Sequence, residues 1–178
     1  MGPFTSFEDI PQFTRPGCYA ADVPWGFVEQ TLLGLDQGDG LDLDPDFQRG
    51  HVWDLNQRRR YVEFVLRGGS TGREVLFNNA GWNRSTGGVT VLVDGKQRLD
   101  AVRSFMTDGF PAFGTLYSGY RDRLSMTGPS FRFVVNNLAT RAEVLQWYVD
   151  LNAGGTPHAP EEIERVRGLI SGATGERA

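Results

Sequence analysis

A chain of 178 residues with 39% hydrophobic and 12% aromatic content has the length of one domain and enough apolar surface to build a core. Its net charge of −4 argues against a nonspecific nucleic-acid binder working by bulk electrostatics. One cysteine, Cys18, and two histidines, His51 and His158, exclude an internal disulfide and a Cys/His metal cluster. A reducing, cytoplasmic setting is the default expectation, and with no stretch near the roughly 18 apolar residues that span a bilayer, no membrane partner is expected.

Residues 1-22 mix prolines, polar residues and scattered aromatics without a period, so they read as an irregular N-terminal arm or an edge element. The folded domain is expected over 23-172, with a polar tail at 173-178. Pro24 opens a helix in which Phe27, Val28, Leu32 and Leu33 recur at helical spacing. The acidic stretch 36-46 reads as a loop with a short strand at Leu41 and Leu43, and it lacks the closing glutamate of an EF-hand calcium loop. Asp54 is a plausible N-cap for a helix over 55-66, with Leu55, Val62, Val65 and Leu66 on one face. Gly68 and Gly69 end it.

Residues 74-77 and 89-93 read as strands, the second a β-branched run fit for burial. Asp94-Gly95 then leads into a helix carrying Leu99, Val102, Phe105 and Met106 at helical spacing. A further strand is expected over 131-135. Thr140 and Glu143 form a capping box opening a helix through Leu151, and a last helix starts near Pro160. The order predicts a mixed α+β fold, a small sheet flanked by helices.

Charge is unevenly placed. Residues 1-47 hold nine acidic residues and one basic, whereas 48-67 hold five arginines against Asp54 and Glu63. Arg58, Arg59 and Arg60 are candidate DNA contacts, with a solvated helix face as the plainer alternative. The Asp94-Gly95 turn sets backbone N–H groups and a helix dipole at the mouth of a buried strand, which favours anions. Lys96 and Arg98 follow, offering an ammonium and a guanidinium to the same phosphate chain. The structural alternative is that Asp94 caps the helix, with Gln97 at the reciprocal position. In the second segment, Gln48 and Arg49 are candidates for phosphate or base edges, while Trp53 either stacks on a base or anchors the loop in the core. His51 has no catalytic partner in a recognisable arrangement.

Phe47-Gln48-Arg49-Gly50-His51-Val52-Trp53, Asp94-Gly95-Lys96-Gln97-Arg98-Leu99 and the later run from Trp147 through Asn152-Ala153-Gly154-Gly155-Thr156-Pro157 together resemble the N-terminal domain of GmrSD-type restriction proteins. That family, domain of unknown function 262, is related to ParB and sulfiredoxin, and the likeness covers roughly residues 40-170. The resemblance implies a ParB/sulfiredoxin-like mixed fold that binds a nucleoside triphosphate with Mg²⁺. By position, Asp94 would be the metal- or water-orienting carboxylate and Gln97 a catalytic polar contact. Gln48, Arg49, Gly95, Lys96 and Arg98 would form the phosphate site. Lys96 departs from the glutamine of the family pattern; lysine strengthens phosphate binding but cannot orient a water as a carboxylate does.

The expectation is therefore an NTP-binding domain, a hydrolase or NTP-dependent switch acting with DNA or a separate nuclease chain in DNA restriction. No His-Asn-His nuclease module follows, so autonomous cleavage is not expected. The alternatives are a non-catalytic DNA-binding or protein-interaction module and, less favoured, a phosphotransferase.

Overall fold

The computed structural model describes residues 3–6, 10, 19–36, 40–48, 53–82, 88–122, 124, 127–153 and 160–172. Five strands, β1 (Tyr19–Pro24), β2 (Leu41–Asp42), β3 (Glu74–Asn78), β4 (Thr90–Asp94) and β5 (Ser130–Asn136), form one sheet in the order β1-β5-β3-β4-β2. Outer pairs β1/β5 and β4/β2 are antiparallel and parallel respectively; the inner pairs are parallel β5/β3 and antiparallel β3/β4. Among the described residues five α-helices accompany it: α1 (Val28–Asp36), α2 (Leu55–Leu66), α3 (Lys96–Met106), α4 (Arg141–Ala153) and α5 (Pro160–Gly172).

Because strand side chains alternate between faces, the sheet is divided cleanly between two cores. Val75, Phe77, Leu92, Phe131, Phe133 and Val135 pack against Val28 and Leu32 of α1, Val62 and Val65 of α2, and Leu99, Val102 and Phe105 of α3. Leu76 and Val93 face the other way, onto Val144, Leu145, Trp147, Tyr148 and Val149 of α4, Val166 of α5, and Phe47. Burial on both faces explains why the Val-Thr-Val-Leu-Val run lacks polar alternation. The mixed α+β expectation, a small sheet flanked by helices, holds at this level.

The helix starts follow local chemistry. Asp54 caps α2, accepting from Gln57 N while the Gln57 side chain accepts from Asp54 N, both at 2.8 Å. The expected Thr140/Glu143 box is present at the start of α4, where Thr140 N donates to Glu143 Oε2 at 3.0 Å and Glu143 N to Thr140 Oγ1 at 3.3 Å. Two expectations shift. Of the two readings of residues 1-22, the edge element is found at 19–22, which belong to edge strand β1 and so to the folded domain; Val23 is the strand's one buried side chain, which leaves no alternation to read. Strand β4 starts at Thr90, since Val89 is 41% exposed.

Past the last pair of β3 the chain is held by buried amides. Asn78 Nδ2 donates to Leu138 O at 3.1 Å, and Leu138 N donates to Asn78 Oδ1 at 2.8 Å. Asn79 Nδ2 donates to Thr90 Oγ1 at 2.9 Å. Losing a partner in such a place leaves buried groups unsatisfied. Asn78→Ala is expected to lower stability by about 2–3 kcal/mol, read by urea or thermal unfolding; a change below about 0.5 kcal/mol would show the pair to be dispensable.

Candidate functional site

The junction of β4 and α3 is built around Gly95. It is the N-cap of α3 with φ +101° and makes no side-chain cap bond. A Cβ there would lie 3.0 Å from Val75 Cα and 3.1 Å from Glu74 O, so glycine meets both the left-handed backbone and the close approach to β3. Asp94 is consequently not the cap that the structural alternative required. Its carboxylate turns to Arg98, whose Nη2 donates to Asp94 Oδ2 at 2.6 Å and to Glu74 O at 3.0 Å. Arg98 Nε is buried with no acceptor among the described residues.

Arg98 and Asp94 stand in a cleft of about 590 Å³ together with Arg73, Arg132, Ser70 and Thr71, with Asp22 and Glu74 also in its wall. Arg73 and Arg132 are loosely held: Arg73 Nε reaches Ser70 O at 3.4 Å, and Arg132 Nε is 4.0 Å from Glu74 Oε1. Tyr61 reaches the same wall from α2, its hydroxyl donating to Gly72 O at 2.9 Å. Burial pushes the Tyr61 phenol up to about 12, against the opposing pull of the Arg98 and Arg73 charges. The hydroxyl is thus a neutral donor at physiological pH.

Other predicted site residues lie elsewhere. Lys96 and Arg98 sit about 200° apart around the helix, and they reach opposite sides of β4. Lys96 Nζ lies 3.4 Å from Asp44 and 3.6 Å from Asp100, and donates to Leu43 O at 3.3 Å. Gln48 does not line the cleft; its Nε2 donates to Leu92 O at 2.6 Å, extending the edge of β4 beyond the short β2. Gln97 accepts from Trp53 N at 2.9 Å and so positions the start of α2. The Trp53 ring packs against Tyr61 at 5.3 Å and joins the core, which is its anchoring role. Arg58 and Arg59 use Nε on Trp53 O and Pro111 O, both at 3.2 Å, while Arg60 is exposed. Arg49 and His51, and the run 154–157 of the third motif, lie outside the described residues.

Arg73, Arg132 and Tyr61 were not among the predicted site residues. A signal for the first was present in Gly68-Gly69-Ser70-Thr71-Gly72-Arg73, a run of glycines, hydroxyls and a guanidinium suited to anions. It served only as a helix stop in the sequence reading. Asp22 and Arg132 are brought in by the β1/β5 register, which no local pattern announces.

Comparison with protein-family models, with curated proteins and with solved structures finds no match to this chain. No helix among the described residues is long and apolar enough to cross a membrane.

The Tyr61 shift has a definite sign. A tyrosine of raised pKa contributes stability that is complete below its unfolded value near 10 and is lost as pH rises through about 12. Between those values the native chain should lose more stability than Tyr61→Phe does, measured as melting temperature against pH. Parallel curves for the two proteins would remove Tyr61 as the group responsible.

Proposed function

We propose that this chain binds the phosphates of a nucleoside triphosphate in the cleft beside the β4–α3 junction, serving as an NTP-dependent switch or hydrolase of the GmrSD N-terminal type. DNA or a separate nuclease chain would be its downstream partner. The observation that supports this reading is the convergence of Arg73, Arg98 and Arg132 with Asp94 and the Ser70-Thr71 hydroxyls around one cleft. Planar guanidiniums and hydroxyl donors are the groups that phosphate oxygens take.

The side chains fit magnesium brought in with the phosphates better than a free metal. Among the described residues no three His, Cys, Asp or Glu side chains form a ligand set, but Mg²⁺ on a nucleotide needs only one or two carboxylates and fills its other positions with phosphate and water. Asp94 would hold it, with Glu74 and Asp22 the other carboxylates of the same wall. The metal would supply neutralisation of phosphate charge. What the chain does is an exchange: an arriving phosphate takes Arg98 from Asp94, and the released carboxylate becomes available to a cation. Gln97, committed to Trp53 N, serves this reading by holding α2 and Tyr61 in place rather than by touching a phosphate.

The DNA-binding alternative has less support, since two of its three arginines are bonded to backbone carbonyls. Calorimetric titration with ATP, GTP, CTP and UTP plus Mg²⁺ is expected to give saturable binding for at least one of them. Arg98→Ala should weaken it by about 1.5–3 kcal/mol, roughly tenfold to a hundredfold. Asp94→Asn should leave binding without Mg²⁺ at least as tight, because Arg98 is released, yet remove the gain that Mg²⁺ brings. Absence of binding by all four nucleotides, with duplex DNA bound instead, would replace this reading by the alternative.

A further inference from the structure

A second cleft, of about 500 Å³, lies at the C-terminal end of α2 between Arg60, Glu63, Phe64, Arg67, Gly69 and Phe113. We propose that it is a binding site for single-stranded nucleic acid, in which Phe64 and Phe113 stack on an unpaired base and Arg60 and Arg67 meet the flanking phosphates.

Arg60 and Phe64, four residues apart on α2, share one stripe of the helix, and Arg67 follows three residues later as its C-cap. A charge, a ring and a charge in sequence match the phosphate, base and phosphate of a strand. Phe64 is 46% exposed, and its ring lies so close over Gly69 that a Cβ there would collide with it. One face of the ring is thereby fixed and the rest is presented to solvent.

Phe113 is the more telling residue. It has φ +48° and Gly114 has φ +80°, in a two-residue turn closed by Ala112 N to Thr115 O at 3.0 Å and Thr115 N to Ala112 O at 2.9 Å. The first position of such a turn selects asparagine, aspartate or glycine. Phenylalanine there is strained, and with 53% of it exposed core packing does not offset the strain. An unfavourable backbone that displays an apolar ring to water points to use of the ring. Glu63 Oε1 holds the turn in position by accepting from Phe113 N at 2.8 Å. The Glu63 carboxylate still brings a negative charge to the wall of the cleft, yet among the described residues neither Arg60 nor Arg67 is ion-paired to it or to another carboxylate.

Exposed aromatic rings with guanidiniums beside them are the two components by which single strands are held without sequence preference. A duplex hides its base faces, so it would meet only the arginines. None of these residues lines the nucleotide cleft, so binding is measured without nucleotide or Mg²⁺.

The test is fluorescence anisotropy with a labelled deoxythymidine oligonucleotide about ten nucleotides long, against a duplex of equal length and an acidic peptide. The native chain should bind the single strand roughly tenfold more tightly than the duplex, with affinity falling as salt rises. Phe113→Gly is the decisive variant: glycine relieves the left-handed strain, so the melting temperature should hold or rise while strand binding falls roughly tenfold. Arg67→Ala should also weaken binding, whereas Arg167→Ala, on α5, should not. Native-level binding by Phe113→Gly, equal affinity for duplex, or a preference for the acidic peptide would each overturn the proposal.

Discussion

The absence of a side chain at residue 95 is the constraint on which the site depends. Only Gly95 separates the last residue of β4 from the first of α3, and its backbone passes against Glu74 and Val75 of β3. So close a junction fixes the phase of α3 relative to the sheet. Leu99, Val102 and Phe105 are thereby turned into the core, Arg98 is returned over β3 to Asp94 and Glu74 O, and Lys96 is sent over the opposite side of β4 to Asp44. A larger residue would separate helix from sheet and scatter all three. The steric condition thus comes before the electrostatics.

The same junction explains why two segments 44 residues apart share one set of motif residues. Gln48 donates to Leu92 O, and Gln97 accepts from Trp53 N, each bond spanning 44 positions. A primary amide offers both donor and acceptor without charge, so it can satisfy an isolated backbone group at modest desolvation cost. Phe47 adds an apolar anchor, its ring 5.3 Å from Tyr148, and Arg165 donates to the carbonyls of Asp46 and Phe47 at 3.1 and 2.8 Å. Much of what resembles a binding motif is therefore architecture that places Asp94 and Arg98.

Elements with a strong local signal were legible in the sequence. The β4–α3 unit, the Asp54 cap and the Thr140/Glu143 box depend on residues a few positions apart, and each is found where expected. Edge strand β1 was legible only as one of two alternatives and without bounds, because its pairing with β5 supplies the order that its own residues lack. For the site, Asp94, Gly95 and Arg98 were legible as a group. Periodicity alone could have parted Lys96 from Arg98, since residues two apart on a helix face different ways. Arg132 and Asp22 reach the cleft only through sheet register, information distributed over two strands that lie far apart in the chain.

The link from α2 to β3 carries a consequence of its own. Gly68 and Gly69 wall the cleft at the end of α2, while Ser70, Thr71, Gly72 and Arg73 wall the cleft beside α3. Six consecutive residues thus serve as a partition between the two clefts. Gly68 and Gly72 take positive φ, at +88° and +65°, so the partition has a glycine near each end where the backbone turns most easily. Were both proposed sites filled, an occupant that favoured one setting of this loop on its own side would alter the free energy of the other side, and thermodynamic reciprocity would make the influence equal in both directions. Such an influence would need no domain motion and no second subunit; it would cross the thickness of a single loop.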